Sequence, residues 1–209
     1  TLHYLSSQTY SMVAGPWNGF AAVEDHYNTF ESNDLRKEGF LVGPQFSSTG
    51  EALFDETAEA DLNFDPHIPA VVLDASHTFV EIRMSGARIA KFEIEKGADE
   101  NMSNDFPLFR YADVLLMKAE AEIQQGNNGD EWVNQIRSRA GLTAWTGVDL
   151  DMLLEERGRE MFMEGHRRQD LIRFGKFNDA WWEKPASTIN ELTFPIPQWA
   201  IDANPNLDL

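Results

Sequence analysis

Cysteine is absent from the 209 residues. A chain without thiols can form no disulfide, thiolate zinc site or thiol nucleophile, although an oxidising compartment stays open to it. Basic residues are scarce: 17 Lys and Arg stand against 35 Asp and Glu, for a net charge of −18. Phosphate backbones are gripped through Lys and Arg, so nucleic acid is disfavoured as a partner. Long apolar runs are missing too, since stretches such as Val114 to Met117 fall far short of the roughly 20 residues that a membrane-spanning helix needs. The opening Thr1-Leu-His-Tyr-Leu has no initiator Met, charged n-region or apolar h-region, and reads as cut from a longer precursor. No Gly-x-Ser-x-Gly, phosphate loop or dinucleotide fingerprint occurs, so the usual acyl- and phosphoryl-transfer sites lack support.

What is present is apolar material for a core. Apolar residues make up 42% of the chain, with 14 Phe and 6 Trp, enough for one globular domain over residues 1–209. The acid excess lies mostly early: residues 1–105 carry 18 acidic against 6 basic residues, and residues 106–209 carry 17 against 11. Six carboxylates between Glu51 and Asp65 have no basic residue among them. This segment reads first as a solvated loop and second as a cation site, with no recognised calcium-ligand spacing.

The texture changes near Asp105. Before it, turn signals at Gly15-Pro16, Asn18-Gly19, Gly43-Pro44, Asp65-Pro66 and Lys96-Gly97 separate short apolar runs. Val71 to Leu73, Phe79 to Met84 and Ile89 to Ile94 are expected as short strands. From Phe106 the 3.6-residue period takes over, with Leu108, Ala112, Leu115, Ala119 and Ile123 on one face. Gly126-Asn-Asn-Gly129 ends that helix. A second, from about Asp130 to Ala140, buries Trp132, Val133 and Ile136. The pair is a helical hairpin with the small residues of a tetratricopeptide-type crossing, in a single copy. Asp149 is the expected N-cap of a third helix running to Glu164, followed by a helix from His166 to about Phe174. Phe194-Pro-Ile-Pro197 is extended, and Pro197 starts a turn through Trp199 to Ile201.

Four segments, in order, resemble the C-terminal signature of the SusD/RagB family. They are Arg110-Tyr-Ala-Asp-Val-Leu-Leu-Met-Lys-Ala-Glu-Ala121; Ile136-Arg-Ser-Arg-Ala-Gly-Leu142; Glu156-Arg157 through Glu160-Met-Phe-Met-Glu-Gly-His-Arg167 and Asp170-Leu-Ile-Arg-Phe-Gly175; and Phe194-Pro-Ile-Pro197 with Asn204-Pro-Asn206. Pro16-Trp-Asn-Gly-Phe20, Tyr27-Asn-Thr-Phe30 and Asp34-Leu-Arg36 are similar to the run before that signature. The family's N-terminal half, with its lipobox Cys, has no counterpart here. The resemblance implies a mainly α fold: an α–α superhelix with a TPR-like hairpin, long irregular loops and a few short strands. Residues 1–105 would form the loop-rich ligand side and 106–209 the helical signature region. It further implies a Bacteroidetes lipoprotein at the extracellular face of the outer membrane, anchored only through an N-terminal lipid. Such a protein binds oligosaccharide without chemistry or cofactor and delivers it to a SusC-like TonB-dependent transporter. Alternatives are a module that only docks the transporter, and a glycosidase.

An indole or phenol stacks on the apolar face of a sugar while amides and carboxylates meet its hydroxyls. Trp17 and Asn18, in a Gly-Pro loop, supply that combination, with His26, Tyr27 and Trp145 as further ligand candidates. A Trp beside Gly and Pro can equally plug its loop onto the core. Of Trp181 and Trp182, at most one faces the core; Trp132 and Trp199 are assigned to packing. Arg157, Glu160, Glu164, Arg167, Asp170 and Arg173, with His166 among them, crowd ionisable groups into two adjoining helices. They are read as structural ion pairs, with Arg forks tying carboxylates together. No metal is expected there, because Glu160, Glu164 and His166 lack the spacing of a helical zinc motif. No catalytic residue is assigned.

Overall fold

Apolar spacing of three and four residues produces the helices that it predicts. In the computed structural model, which describes residues 2–99, 101–187, 192–204 and 206, α4 (Tyr111–Gln124) and α5 (Asp130–Arg139) form an antiparallel hairpin, and α6 (Leu150–Glu160) packs against both. Leu115, Leu116, Ala119, Val133, Ile136, Leu153 and Leu154 are buried in the helices of this three-helix unit. The Asp149 side chain accepts the Met152 N–H and caps α6 as expected. Gly129, at the start of α5, stands close against α4: a Cβ there would lie 2.8 Å from Ile123 Cγ1 and 3.0 Å from the Ala119 carbonyl oxygen.

Several elements differ from the sequence reading. Leu108 precedes α4 and is exposed, so the apolar stripe begins later. Helix α6 stops at Glu160, and turns carry the chain to Gly165. Phe79–Met84 is a helix, α3, not a strand. Its start is fixed by a capping box in which Thr78 Oγ1 accepts the Glu81 N–H and the Glu81 carboxylate accepts the Thr78 N–H.

Among the described residues, the earlier part of the chain holds α1 (Ser6–Tyr10), α2 (Glu24–Asn28), a 3₁₀ helix (Leu35–Gly39) and seven strands of two or three residues. Strand β7 (Ala87–Ile89) is the centre of a three-stranded antiparallel sheet. Its Arg88 faces Ala21 of β1 (Ala21–Ala22) and Leu41 of β2 (Phe40–Leu41). Strand β3 (Gly43–Pro44) pairs with β6 (Asn63–Phe64), and β4 (Phe54–Asp55) with β5 (Ala60–Asp61). Val71 to Leu73 forms no strand.

The acidic stretch from residue 51 to 65 is not simply a solvated loop. Leu53, Asp55, Leu62 and Phe64 point inward, and Leu53, Leu62 and Phe64 pack with Leu5 and Met84. Asp55 is fully buried: its Oδ2 accepts from His3 Nε2 at 3.0 Å and Arg83 Nε at 2.6 Å, while the backbone amides of Thr57 and Ala58 donate to Oδ1. A second cluster joins Ala22, Phe30, Phe40 and Ala87, with Tyr27 and Phe162 against it.

The chain divides into two compact units, 1–167 and 168–209. In the second, α7 (Arg167–Arg173) is followed by a turn pairing Trp181 with Lys184, and α8 (Gln198–Ala203) begins after Pro197. Arg168 stacks its guanidinium over Phe177 and Phe194 at 4.9 and 4.7 Å from the ring centres. Trp181 and Trp182 sit in that turn rather than on a helix, and Trp199 is exposed instead of packed. Pro205 of the last signature segment lies outside the described residues. Within the described residues, no helix is long and apolar enough to cross a membrane.

Candidate functional site

The loop from Gly15 to Gly19 is held from below by one buried cation. Arg88, in the middle strand of the sheet, donates through Nη1 to the carbonyls of Ser85 and Gly86, and through Nη2 to the Arg83 carbonyl at 2.8 Å. Its Nε donates to Asn18 Oδ1 at 3.0 Å. Burial lowers the Arg88 pKa to about 10, which still leaves it charged at neutral pH. Asn18 adopts a left-handed conformation with φ of 53°. Asn tolerates that region better than most residues. Its backbone N–H donates to the Leu2 carbonyl at 2.7 Å, and its Nδ2 to the Arg83 carbonyl.

With Pro16 fixing φ on one side and Asn18 anchored on the other, Trp17 is projected outward and is 89% exposed. It forms one wall of a groove of about 470 Å³, lined also by Leu2, Met12, Phe92, Met102 and Met163. Lys91, Asp99 and Asn101 supply the polar groups. The two sides of the groove are tied by backbone bonds from Gly97 N to the Tyr10 carbonyl and from Val13 N to the Ala98 carbonyl. An exposed indole, apolar neighbours and a few amide and charged groups form a surface on which a sugar ring can stack and exchange hydrogen bonds.

The other ligand candidates of the sequence lie elsewhere: none of His26, Tyr27 or Trp145 lines this groove. The His26 ring packs on Phe162 at 4.4 Å and edge-on to Phe30 at 5.3 Å. Tyr27 meets Phe40 edge-on at 5.5 Å, and Lys37 Nζ stands 4.4 Å from its ring centre. Trp145 packs against Arg137, 3.8 Å from ring centre to Cζ, and its backbone N–H and C=O both bond the Asn134 side chain. These rings are half-buried in packing contacts, whereas the indole of Trp17 is left to solvent.

The charged helices form a buried lattice. Glu160 accepts from Arg36, Arg110 and Arg139, at 3.1, 2.9 and 2.6 Å for one contact each. Glu164 accepts from Lys91 and Arg110, and Arg157 Nη1 stands 3.0 Å from Asp113 Oδ1. Arg167 donates to the Leu154 carbonyl, while Arg173 and Asp170 pair in the second unit. Burial by itself would raise the Glu164 pKa, but the hydrogen bonds and charges of Arg110 and Lys91 prevail and hold it below the ordinary value. A general acid needs the opposite shift. The partners Arg36, Lys91, Arg110, Arg137, Arg139 and Arg159 were not identified from the sequence. Most are 50 or more positions from their carboxylates, beyond the reach of local spacing. Among the described residues, no group of three or more His, Asp or Glu is placed to hold a metal.

Comparison with known proteins gives a consistent family. A model described as the SusD family matches residues 81–187. The starch-binding protein SusD of Bacteroides thetaiotaomicron is 35% identical over 113 residues, which are 49% of this chain and 20% of that protein. A SusD-like protein of Formosa agariphila is 31% identical over 202 residues, 81% of this chain and 40% of that protein. The fold superposes on surface glycan-binding protein A from Bacteroides thetaiotaomicron with a TM-score of 0.62 at 24% identity, covering 99% of this chain and 44% of that one. The chain therefore spans a fifth to two fifths of the length of these two curated relatives. With the mainly helical architecture, the TPR-like hairpin and a family match over more than half its residues, the chain belongs to the SusD family.

Proposed function

We propose that the chain contributes to non-catalytic oligosaccharide binding at the bacterial cell surface, with the groove beside Trp17 as the contact. The observation that carries this reading is a Trp 89% exposed on a loop that a part-buried Arg88–Asn18 bond holds. A rigid, solvent-facing indole costs little entropy on binding and stacks on many sugars. Asn18 acts here by positioning, since its amide is spent on Arg83 and Arg88. The names of the relatives, a starch-binding protein and a surface glycan-binding protein, support the same ligand class. In this reading the whole protein is lipid-anchored at the outer membrane and passes ligand to a SusC-like TonB-dependent transporter. No bond is made or broken, in keeping with carboxylates such as Glu160 and Glu164 that are taken up by guanidinium and ammonium groups.

Affinity gels and calorimetry over a broad glycan panel test the reading. Binding in the micromolar to millimolar range is expected, and Trp17→Ala weakens it about tenfold, the equivalent of about 1.4 kcal/mol, with an unchanged circular dichroism spectrum. A panel in which no glycan is retained by the full-length protein overturns it.

One observation favours a second reading, docking to the transporter alone. Leu108, Phe109 and Tyr111 are 74%, 85% and 72% exposed at the start of α4, with Val114 and Met117 half-exposed beyond them. Capture of a SusC-like channel that survives Trp17→Ala, combined with silence in the glycan panel, selects this alternative.

A further inference from the structure

A second cavity, of about 270 Å³, opens among residues drawn from the 3₁₀ helix, β2, α5 and α6. Its wall carries five cations, Arg36, Lys91, Arg110, Arg139 and Arg159, against one carboxylate, Glu160. The carboxylates that balance them, Asp34, Glu156 and Glu164, stand behind the wall rather than on it. In a chain with a net charge of −18 this is an inverted patch. Phe40 and Phe162 supply apolar surface beside the cations.

Four of the five cations are committed. Arg36 spends Nε, Nη1 and Nη2 on Asp34, Glu156 and Glu160. Arg110 spends all three nitrogens on Glu160 and Glu164. Lys91 is used by Glu164 and by two backbone carbonyls, and Arg159 by Glu156 and the Thr29 carbonyl. Arg139 differs. Its side chain is 58% exposed, and it bonds Glu160 through Nη2 alone, at 2.7 and 2.6 Å. Among the described residues, its Nε and Nη1 donate to nothing.

We infer that this cavity is a subsite for an acidic saccharide, with the sugar carboxylate taken by one spare donor of Arg139 and the ring resting against the aromatic wall. Both bidentate edges of the guanidinium include Nη2, which Glu160 already holds, so Nε or Nη1 offers the incoming carboxylate one charge-assisted bond. Arg139 carries the charge for this contact, since the other four cations of the wall are balanced by Asp34, Glu156, Glu160 and Glu164. The volume falls just under the ~300 Å³ at which ligand pockets begin, which suits one sugar ring rather than a chain. For the saccharide nature of the ligand the inference rests on the function proposed above; the carboxylate preference follows from the cavity alone.

The test uses glucuronate, with glucose and inorganic phosphate as controls, titrated by calorimetry or chemical-shift perturbation into the wild type, Arg139→Ala, Arg139→Lys and Trp17→Ala. Glucuronate is expected to bind at least tenfold more tightly than glucose or phosphate. Arg139→Ala weakens it at least tenfold, Arg139→Lys restores part of the loss, and the Arg139-dependent part of the binding persists in Trp17→Ala. Arg139 is largely exposed and Glu160 keeps Arg36 and Arg110, so the variants remain folded, as circular dichroism verifies. Equal binding of glucuronate by Arg139→Ala, no preference over glucose, or phosphate binding as well as glucuronate overturns the inference. Loss of glucuronate binding in Trp17→Ala also overturns it, because the carboxylate is then read in the first groove. Failure of neutral glycans to bind, with glucuronate still dependent on Arg139, removes the Trp17 reading and leaves this one standing.

Discussion

A single imidazole shows how this chain trades polarity for packing. His26 is wedged among Phe30, Phe40 and Phe162, and its buried Nε2 finds no hydrogen-bond partner among the described residues. Burial, and then the nearby charges of Arg167, Arg159 and Lys91, lower its pKa from 6.5 to about 4. The unfolded chain therefore takes up a proton as pH falls through 6.5 while the folded chain does not, and stability drains away between pH 6.5 and 4. His26→Phe keeps an aromatic ring and removes that proton uptake. Its melting temperature is expected to fall less steeply than wild type over this window, by the equivalent of about 2 kcal/mol at pH 4; parallel pH profiles would refute the assignment. His3, also lowered to about 4 chiefly by burial, is common to both proteins and cancels in the comparison.

At the scale of elements, legibility tracked the distance over which information is stored. Helices α4, α5 and α6 could be read because apolar spacing and the Asp149 cap lie within one segment. The sheet could not. Strands of two or three residues carry no measurable alternation, and β1 finds its partner more than sixty positions away in β7. Phe79–Met84 was misread because apolar and charged residues alternate over part of its length. The Thr78-x-x-Glu81 capping box was the signal that could have corrected it. For the binding site, the Gly-Pro-Trp-Asn loop could be located from sequence, but whether the indole plugs or projects depended on Arg88, seventy positions from Asn18. Close crossing of the hairpin helices gives a test at this scale. Gly129→Ala thrusts a methyl against Ile123 and the Ala119 carbonyl. It should cost about 1–3 kcal/mol in chemical denaturation, and a neutral or stabilising result would mean that the hairpin is looser than described.

The whole molecule hides its cations. Arg36, Lys91, Arg110, Arg137, Arg157 and Arg159 are bound into the buried lattice, so the outer surface is poorer in positive charge than 17 bases among 209 residues would indicate. Self-repulsion among the outer carboxylates opposes the compact state and is screened by salt over a Debye length of ~10 Å at 0.1 M, whereas the buried pairs are screened far less. Raising sodium chloride from 10 to 150 mM should therefore increase the melting temperature. A decrease would show that exposed ion pairs, not repulsion, dominate the surface.

Asp55 draws together His3, 52 positions earlier, and Arg83, 28 positions later. Closing such loops must be met in chain entropy before any contact rewards it, whereas the α4–α5 hairpin needs only neighbours in sequence. During synthesis the stretch around His3 thus has no route to its final form until residue 83 has left the ribosome.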